Sequence, residues 1–229
     1  MLKKTAAKNV TAGLSSEGTI TMKLYDRIRT DILAGVFQPG QKLKINEIVK
    51  RYDAGASPVR EALNLLTSFG FVDRVENKGF QVRDISCAEY DDIVRVRCWV
   101  EERALRESIR LGDAAWEENI ALALFRLERA ANSAEHNLDW DLRHKEFHNS
   151  LISGCGSNVL LNYCEYLHEQ SIRYRQLAGF MSAKVRDTSK EHRDIADATL
   201  ARNSELATQL LITHYNTTGH YLRMKLFSA

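Results

Sequence analysis

The sequence predicts a mainly α-helical protein in two parts: an N-terminal unit with one β-hairpin, and a longer C-terminal part made only of helices. Three observations point there. Proline occurs only at Pro39 and Pro58, so nothing of that kind interrupts helix formation over the last 171 residues. Apolar residues recur at helical spacing from residue 21 to near the C-terminus, with glycines at the breaks. Clear alternation of apolar and polar residues is confined to the stretch "FVDRVENKGFQVRDI".

Residues 1–19 are small, polar and unpatterned, and are expected to form a flexible tail. The spacing Leu24, Ile28, Ile32, Leu33 predicts a first helix from Thr21 that stops at Gly35. "FQPGQKL" is a turn punctuated by Pro39-Gly40. A short helix over 45–52 would turn Ile45, Ile48 and Val49 inward. After "DAGAS", Ser57-Pro58 is expected to open a third helix with Ser as N-cap and Pro at the first helical position. Its inward residues are Val59, Ala62, Leu63 and Leu66, and it ends at Gly70. A hairpin then turns at Asn77-Lys78-Gly79. This order is the winged helix-turn-helix plan. From Cys87 onward, helices are expected over 87–111, 113–135, 138–152, 157–179, 182–201 and 203–226. The domain division that follows is a tail at 1–19, a winged helix-turn-helix at 20–85 and an all-helical part at 86–229.

Charged residues at 27% and hydrophobic ones at 44% are ordinary for a globular chain. No apolar run approaches the roughly 18 residues of a membrane span, and the N-terminus shows no apolar signal core. Cys87, Cys98, Cys155 and Cys164 form no C-x-x-C pair, which favours a reducing, cytoplasmic setting without a membrane partner. Charge is uneven: residues 1–85 carry 14 Lys and Arg against 9 Asp and Glu, and residues 86–229 carry 18 against 21. A polyanion partner is therefore expected for the first part only. All seven histidines fall in the second part, between His136 and His220.

The stretch "LYDRIRTDILAGVFQPGQKLKINEIVKRYDAGASPVREALNLLTSFGFVDRVENKGFQV" resembles the DNA-binding domain of GntR-family regulators, through its "PG-x-x-L" opening, its "SPVREAL-x-x-L" helix and its "GF…GF-x-V" wing. The resemblance implies a helix inserted in the major groove, first turn toward the DNA. Ser57, Pro58 and the free N–H groups of that turn would meet phosphate, and Arg60 would face base edges. Lys44, Arg51 and, at the wing tip, Lys78 suit backbone phosphates. Ala56 and Asn46 stand where relatives often carry arginine, so the operator sequence cannot be taken from the family.

His144 and His148 are four apart and share one helical face. His192 lies on the stripe Thr188, Ile195, Ala196, Thr199, and His214 interrupts Ala207, Leu210, Leu211. The patterns alone leave two readings: satisfied core histidines, or ligands converging on a metal. The second part also resembles the FCD ligand-binding domain of FadR-type regulators. The carrying residues are Arg97-x-x-x-Glu101, "RHKEFHNSLISGCGS" at 143–157, "EHRDI" at 191–195, and His214. That resemblance implies a bundle of six or seven helices holding a divalent metal through an aspartate and three histidines, beside a pocket for a small organic acid. Carried over, the ligands are His144, His148, His192 and His214, with His144 in the aspartate's place. A neutral, all-nitrogen set favours Zn²⁺, or Ni²⁺ or Cu²⁺, over Mn²⁺ and Mg²⁺. The rival reading is a three-histidine site with positions open to an effector. Asp141 would orient His144. Arg97 is either the partner of Glu101 within its helix or a clamp on an effector carboxylate, and the resemblance favours the clamp. Tyr174 and Arg173 are further pocket candidates. His136, His168 and His220 are read as surface or packing residues.

"DWDLRHKEFHNSLISGCGS" is most similar to the CsiR-like branch, which implies repression of genes for catabolism of a short dicarboxylate or amino acid. The expectation is a bacterial transcriptional regulator, a repressor, binding palindromic operator DNA as a homodimer under control of metal and effector. It is not expected to be an enzyme. The alternatives are a regulator that senses the metal ion itself and a zinc hydrolase. The hydrolase lacks an H-E-x-x-H motif and leaves the first 85 residues without a use.

Overall fold

The computed structural model describes residues 19–76, 78–131, 138–179 and 187–228. The chain divides into two units after Asp84. In the first, α1 (Ile20–Leu33), β1 (Lys42–Leu43), α2 (Ile45–Tyr52), α3 (Ala56–Ser68), β2 (Val72–Val75) and β3 (Gly79–Val82) follow in order. Leu24, Ile28 and Ile32 of α1 join Ile48, Leu63 and Phe80 in a common core. The hairpin strands pair antiparallel with Val75 opposite Gly79, and β1 adds to β3, giving the order β1-β3-β2.

Two local features differ from the sequence expectation. The strand β1 was not anticipated, because two residues are too few to show alternation. It exists because Gly40, at φ 75°, turns the chain so that its N–H reaches Val82 and Gln41 accepts from Val82 in return. A Cβ on Gly40 would lie 2.7 Å from Asp84 Oδ1. The start of α3 also shifts. Asp53 ends α2 in the left-handed region (φ 50°), Gly55 takes the extended N-cap geometry, and the helix begins at Ala56. Ser57 therefore sits inside the helix, its hydroxyl 3.4 Å from Glu61 rather than on a backbone N–H. Pro58 is third in the helix, still within the turn whose N–H groups need no helical partner.

The second unit contains α4 (Cys87–Leu111), α5 (Ala114–Ala131), α6 (Leu138–Ile152), α7 (Asn158–Leu177), α8 (Thr188–Leu200) and α9 (Ser204–Phe227). The side chains of Ser86, Ser157, Asp187 and Asn203 each accept a first-turn N–H and cap α4, α7, α8 and α9. The tail before Thr19, the hairpin residue Asn77, His136 and the outer ends of the helices expected over 113–135 and 182–201 lie outside the described residues. Helix α4 packs on α7 and α9, α5 on α6, and α8 on α9. Leu105, Ile120, Leu127, Phe147 and Leu151 fill the middle. At one end the Trp116 ring rests on two glycines: a Cβ on Gly112 would lie 2.2 Å from it, and one on Gly154 would lie 3.2 Å away.

Helix α7 is buried on all sides near its C-terminal end, where His168, Glu169, Gln170, Arg173 and Arg175 lose contact with water. Polar groups so placed need partners. Lys145 reaches Glu169 at 2.9 Å, Arg173 lies 3.4 Å from Glu89, and Arg175 lies 3.2 Å from Asp141.

Candidate metal centre and nucleic-acid interface

In the first unit, Val59, Ala62, Leu63 and Leu66 seat α3 on the core, leaving Ser57 exposed on its first turn and Arg60 exposed at the start of the second, with Pro58 half-buried between them. Lys78 is exposed at the hairpin turn. Lys44 is exposed and ion-paired with Glu47 at 2.8 Å. Arg51 is more constrained than expected. Its guanidinium lies 3.0 Å from Asp31 and 5.3 Å from the Phe37 ring centroid, which ties α2 to α1 as well as offering a cation at the surface.

In the second unit, α6 supplies His144 and His148, α8 supplies His192 and α9 supplies His214. One ligand atom from each lies within 4.8 Å of all the others, and all four residues are buried. Two ligands of one ion at about 2.0–2.1 Å stand roughly 3.4–4.2 Å apart, so the set needs only a small closure to fit a metal. The Nε2 atoms of His144 and His148 are 3.2 Å apart. Burial, reinforced by Arg175 for His144 and by the neighbouring histidines for His148, holds both imidazoles well below the usual histidine pKa. They are neutral near pH 7, the form that binds metal.

Three of the imidazoles, those of His144, His148 and His214, have a partner on the outer nitrogen. His214 Nδ1 is 2.8 Å from Glu191 Oε2. His148 Nδ1 is 3.0 Å from the Tyr215 hydroxyl, which donates to Glu101. His144 Nδ1 is 2.9 Å from Nη1 of Arg175. Asp141 therefore does not touch His144 as the sequence suggested; it pairs with Arg175 and accepts from Gln176.

A cavity beside the cluster is lined by Arg97, Trp140, Ser171, Arg175 and three of the histidines. Arg97 is the partner of Glu101 within its helix, its Nε 2.6 Å from the carboxylate, and it also lines the cavity. Burial opposes the Arg97 charge, and Glu101 more than offsets it, so its pKa rises. Arg175 is pulled below the ordinary arginine value by burial, which Asp141 only partly counters. Tyr174 and Arg173 are not brought to this wall. The Tyr174 hydroxyl donates to Glu89 at 2.8 Å and lies 3.4 Å from the Ser86 amide, at the start of α4. His168 is buried on α7, and His220 is exposed on α9. Sequence reasoning missed Arg175, Tyr215 and Glu191. Only Glu191 left a signal, directly before His192.

A winged helix-turn-helix followed by a helical bundle is the architecture of a DNA-binding regulator. The comparisons identify the kind. Residues 20–82 match the gntR family of bacterial regulatory proteins, and residues 92–217 match the FCD domain. The chain belongs to the GntR family with an FCD domain and is a bacterial transcriptional regulator of that family, whose members are not enzymes. It is 33% identical over 204 residues to the uncharacterized HTH-type transcriptional regulator BphR of Paraburkholderia xenovorans (strain LB400), covering 87% of this chain and 83% of the relative. It is 35% identical over 201 residues to the HTH-type transcriptional repressor GlaR of Escherichia coli (strain K12), covering 84% and 91%. Its fold is similar to that of E. coli McbR/YncC, with a TM-score of 0.75 and 17% identity over 90% of this chain and 98% of that one. Among the described residues no helix is long and apolar enough to cross a membrane.

Proposed function

We propose that the chain is a repressor that binds a palindromic operator as a homodimer, and that its helical unit holds a divalent transition metal and a small carboxylate effector. The observation that carries the regulatory half is the four-histidine cluster, buried in the unit that does not read DNA and bordered by a cavity with two guanidinium groups. Nitrogen-only ligands favour Zn²⁺. His148, His192 and His214 would hold the ion, with His144 facing it. Ser57, Pro58, Arg60, Lys44, Arg51 and Lys78 would contact DNA, Arg60 reading bases and the lysines meeting phosphates. The helical unit would also supply the dimer contact, and the setting would be the cytoplasm. Repression is supported by the likeness to GlaR. An effector acts only if it binds the DNA-competent and DNA-released arrangements with different affinity.

Selection of bound DNA from a random pool by the purified full chain, with and without Zn²⁺, tests this reading. Enrichment of a palindrome is expected, and no enrichment under either condition overturns it. A gel shift on the selected site after chelation separates a metal-sensing regulator, whose binding follows the ion alone, from one that answers to an organic acid.

A further inference from the structure

We propose that His144 is not a fourth metal ligand but a hydrogen-bond donor that, with Arg175, receives a carboxylate at the open side of a three-histidine centre. This rests on the metal reading above and assigns separate tasks to the four nitrogens.

What faces the outer nitrogen of His144, His148 and His214 decides the assignment. A neutral imidazole that ligates through Nε2 carries its proton on Nδ1 and needs an acceptor there. His214 has one in the Glu191 carboxylate at 2.8 Å. His148 has one in the Tyr215 oxygen at 3.0 Å, since the phenol's own proton is given to Glu101. His144 has the opposite neighbour. Its Nδ1 faces Nη1 of Arg175 at 2.9 Å, and a guanidinium has donors and no acceptor. Nδ1 of His144 therefore accepts, and the ring proton sits on Nε2, the atom turned toward the other histidines.

Ligation by that atom would require either loss of a second proton from the ring or departure of Arg175. Arg175 is 7% exposed, lies 5.6 Å from the Trp140 ring centroid and is ion-paired with Asp141, so departure means abandoning a packed position. An N–H aimed into the cavity suits an oxygen anion instead. Arg175 adds to it: beyond the Asp141 pair, its buried Nε and Nη2 make no hydrogen bond, and it lines the same cavity as His144, His192 and His214. Arg97, across that cavity, is already occupied by Glu101 at 2.6 Å and lies 4.1 Å from the Tyr215 ring centroid, so it positions Tyr215 rather than receiving the anion. A neutral three-nitrogen set leaves the charge of the ion uncompensated, which favours an anion there over a fourth neutral donor.

The test titrates chelator-stripped full-length protein with Zn²⁺. His144→Ala is expected to bind zinc within about threefold of wild type, whereas His148→Ala and His192→Ala weaken binding by more than about 100-fold. Equal losses in His144→Ala and His148→Ala overturn the proposal, and a wild type that binds no zinc overturns the metal reading on which it rests. Imidazole ¹⁵N NMR of the zinc-loaded wild type needs no variant to fold. It should show a protonated Nε2 on His144 and protonated Nδ1 on His148 and His214. A metal-bound Nε2 at His144 overturns the proposal. Acetate, used as the carboxylate probe, should shift the His144 Nε2–H resonance, and no shift removes the anion-receiving role.

Discussion

Tyr215 of α9 links the histidine cluster to α4: it donates to Glu101 and faces His148 Nδ1. Tyr215→Phe keeps the ring and removes the hydroxyl, leaving both partners without it in a buried place. Zinc affinity is expected to fall about 10- to 100-fold with helicity unchanged, and Glu191→Gln should act similarly through His214. Burial also gives the metal-free protein a definite pH dependence. His144 and His148 titrate well below the usual value when folded and near 6.5 when unfolded, so below that pH the unfolded chain takes up protons the native state refuses. Stability is flat with respect to these groups above about pH 6.5 and falls below it by up to about 1.4 kcal/mol per pH unit for each histidine. Denaturant titrations of chelated protein at pH 7 and pH 5.5 measure this; no loss at the lower pH contradicts it. On the DNA side, Arg60→Ala is expected to erase discrimination between the selected operator and a scrambled duplex while leaving the oligomeric state unchanged. Fluorescence anisotropy on the two duplexes reads the ratio.

Among the elements, the turn between α4 and α5 is the least tolerant of side-chain volume. The ring of Trp116 occupies the space a Cβ on Gly112 would need, and its indole N–H donates to Ser150 of α6 at 2.9 Å. Gly112→Ala must displace the ring or the helix end, and a cost of about 1–3 kcal/mol in thermal unfolding is expected. Legibility differs by element for physical reasons. The approximate spans 45–52, 87–111 and 138–152 agree with α2, α4 and α6, because apolar spacing at helical period marks each of them. The strand β1 is too short for any period, and α3 starts two residues earlier than expected because a glycine takes the N-cap that serine seemed to claim. Helix α7 hid most: its charged residues Glu165, Glu169, Arg173 and Arg175 are each balanced by a residue from another helix, a relation that local periodicity does not record. For the same reason His144, His148, His192 and His214 could be named from spacing and resemblance, whereas Arg175 and Tyr215 owe their roles to contacts 31 and 67 residues away in the chain.

Across the whole chain, the first unit ends at Asp84, and Ser86 two residues later caps α4 and meets Tyr174 of α7. Residues 173 and 174 hold the start of α4, while Ser171 and Arg175 of the same helix line the cavity. One helix therefore both borders the cavity and fastens the start of α4. Tyr174→Phe is expected to leave zinc affinity within about twofold and to reduce the effect of the metal on operator affinity, as read by gel shift with and without chelator. Sharing one helix between two tasks also restricts how such a protein can change over generations. A substitution on α7 that reshapes the cavity risks the joint at the same stroke, whereas Trp140, Thr188 and Thr218 border the cavity from other helices. On the proposed function, a change of effector is expected to come through those three positions while residues 171–175 stay fixed.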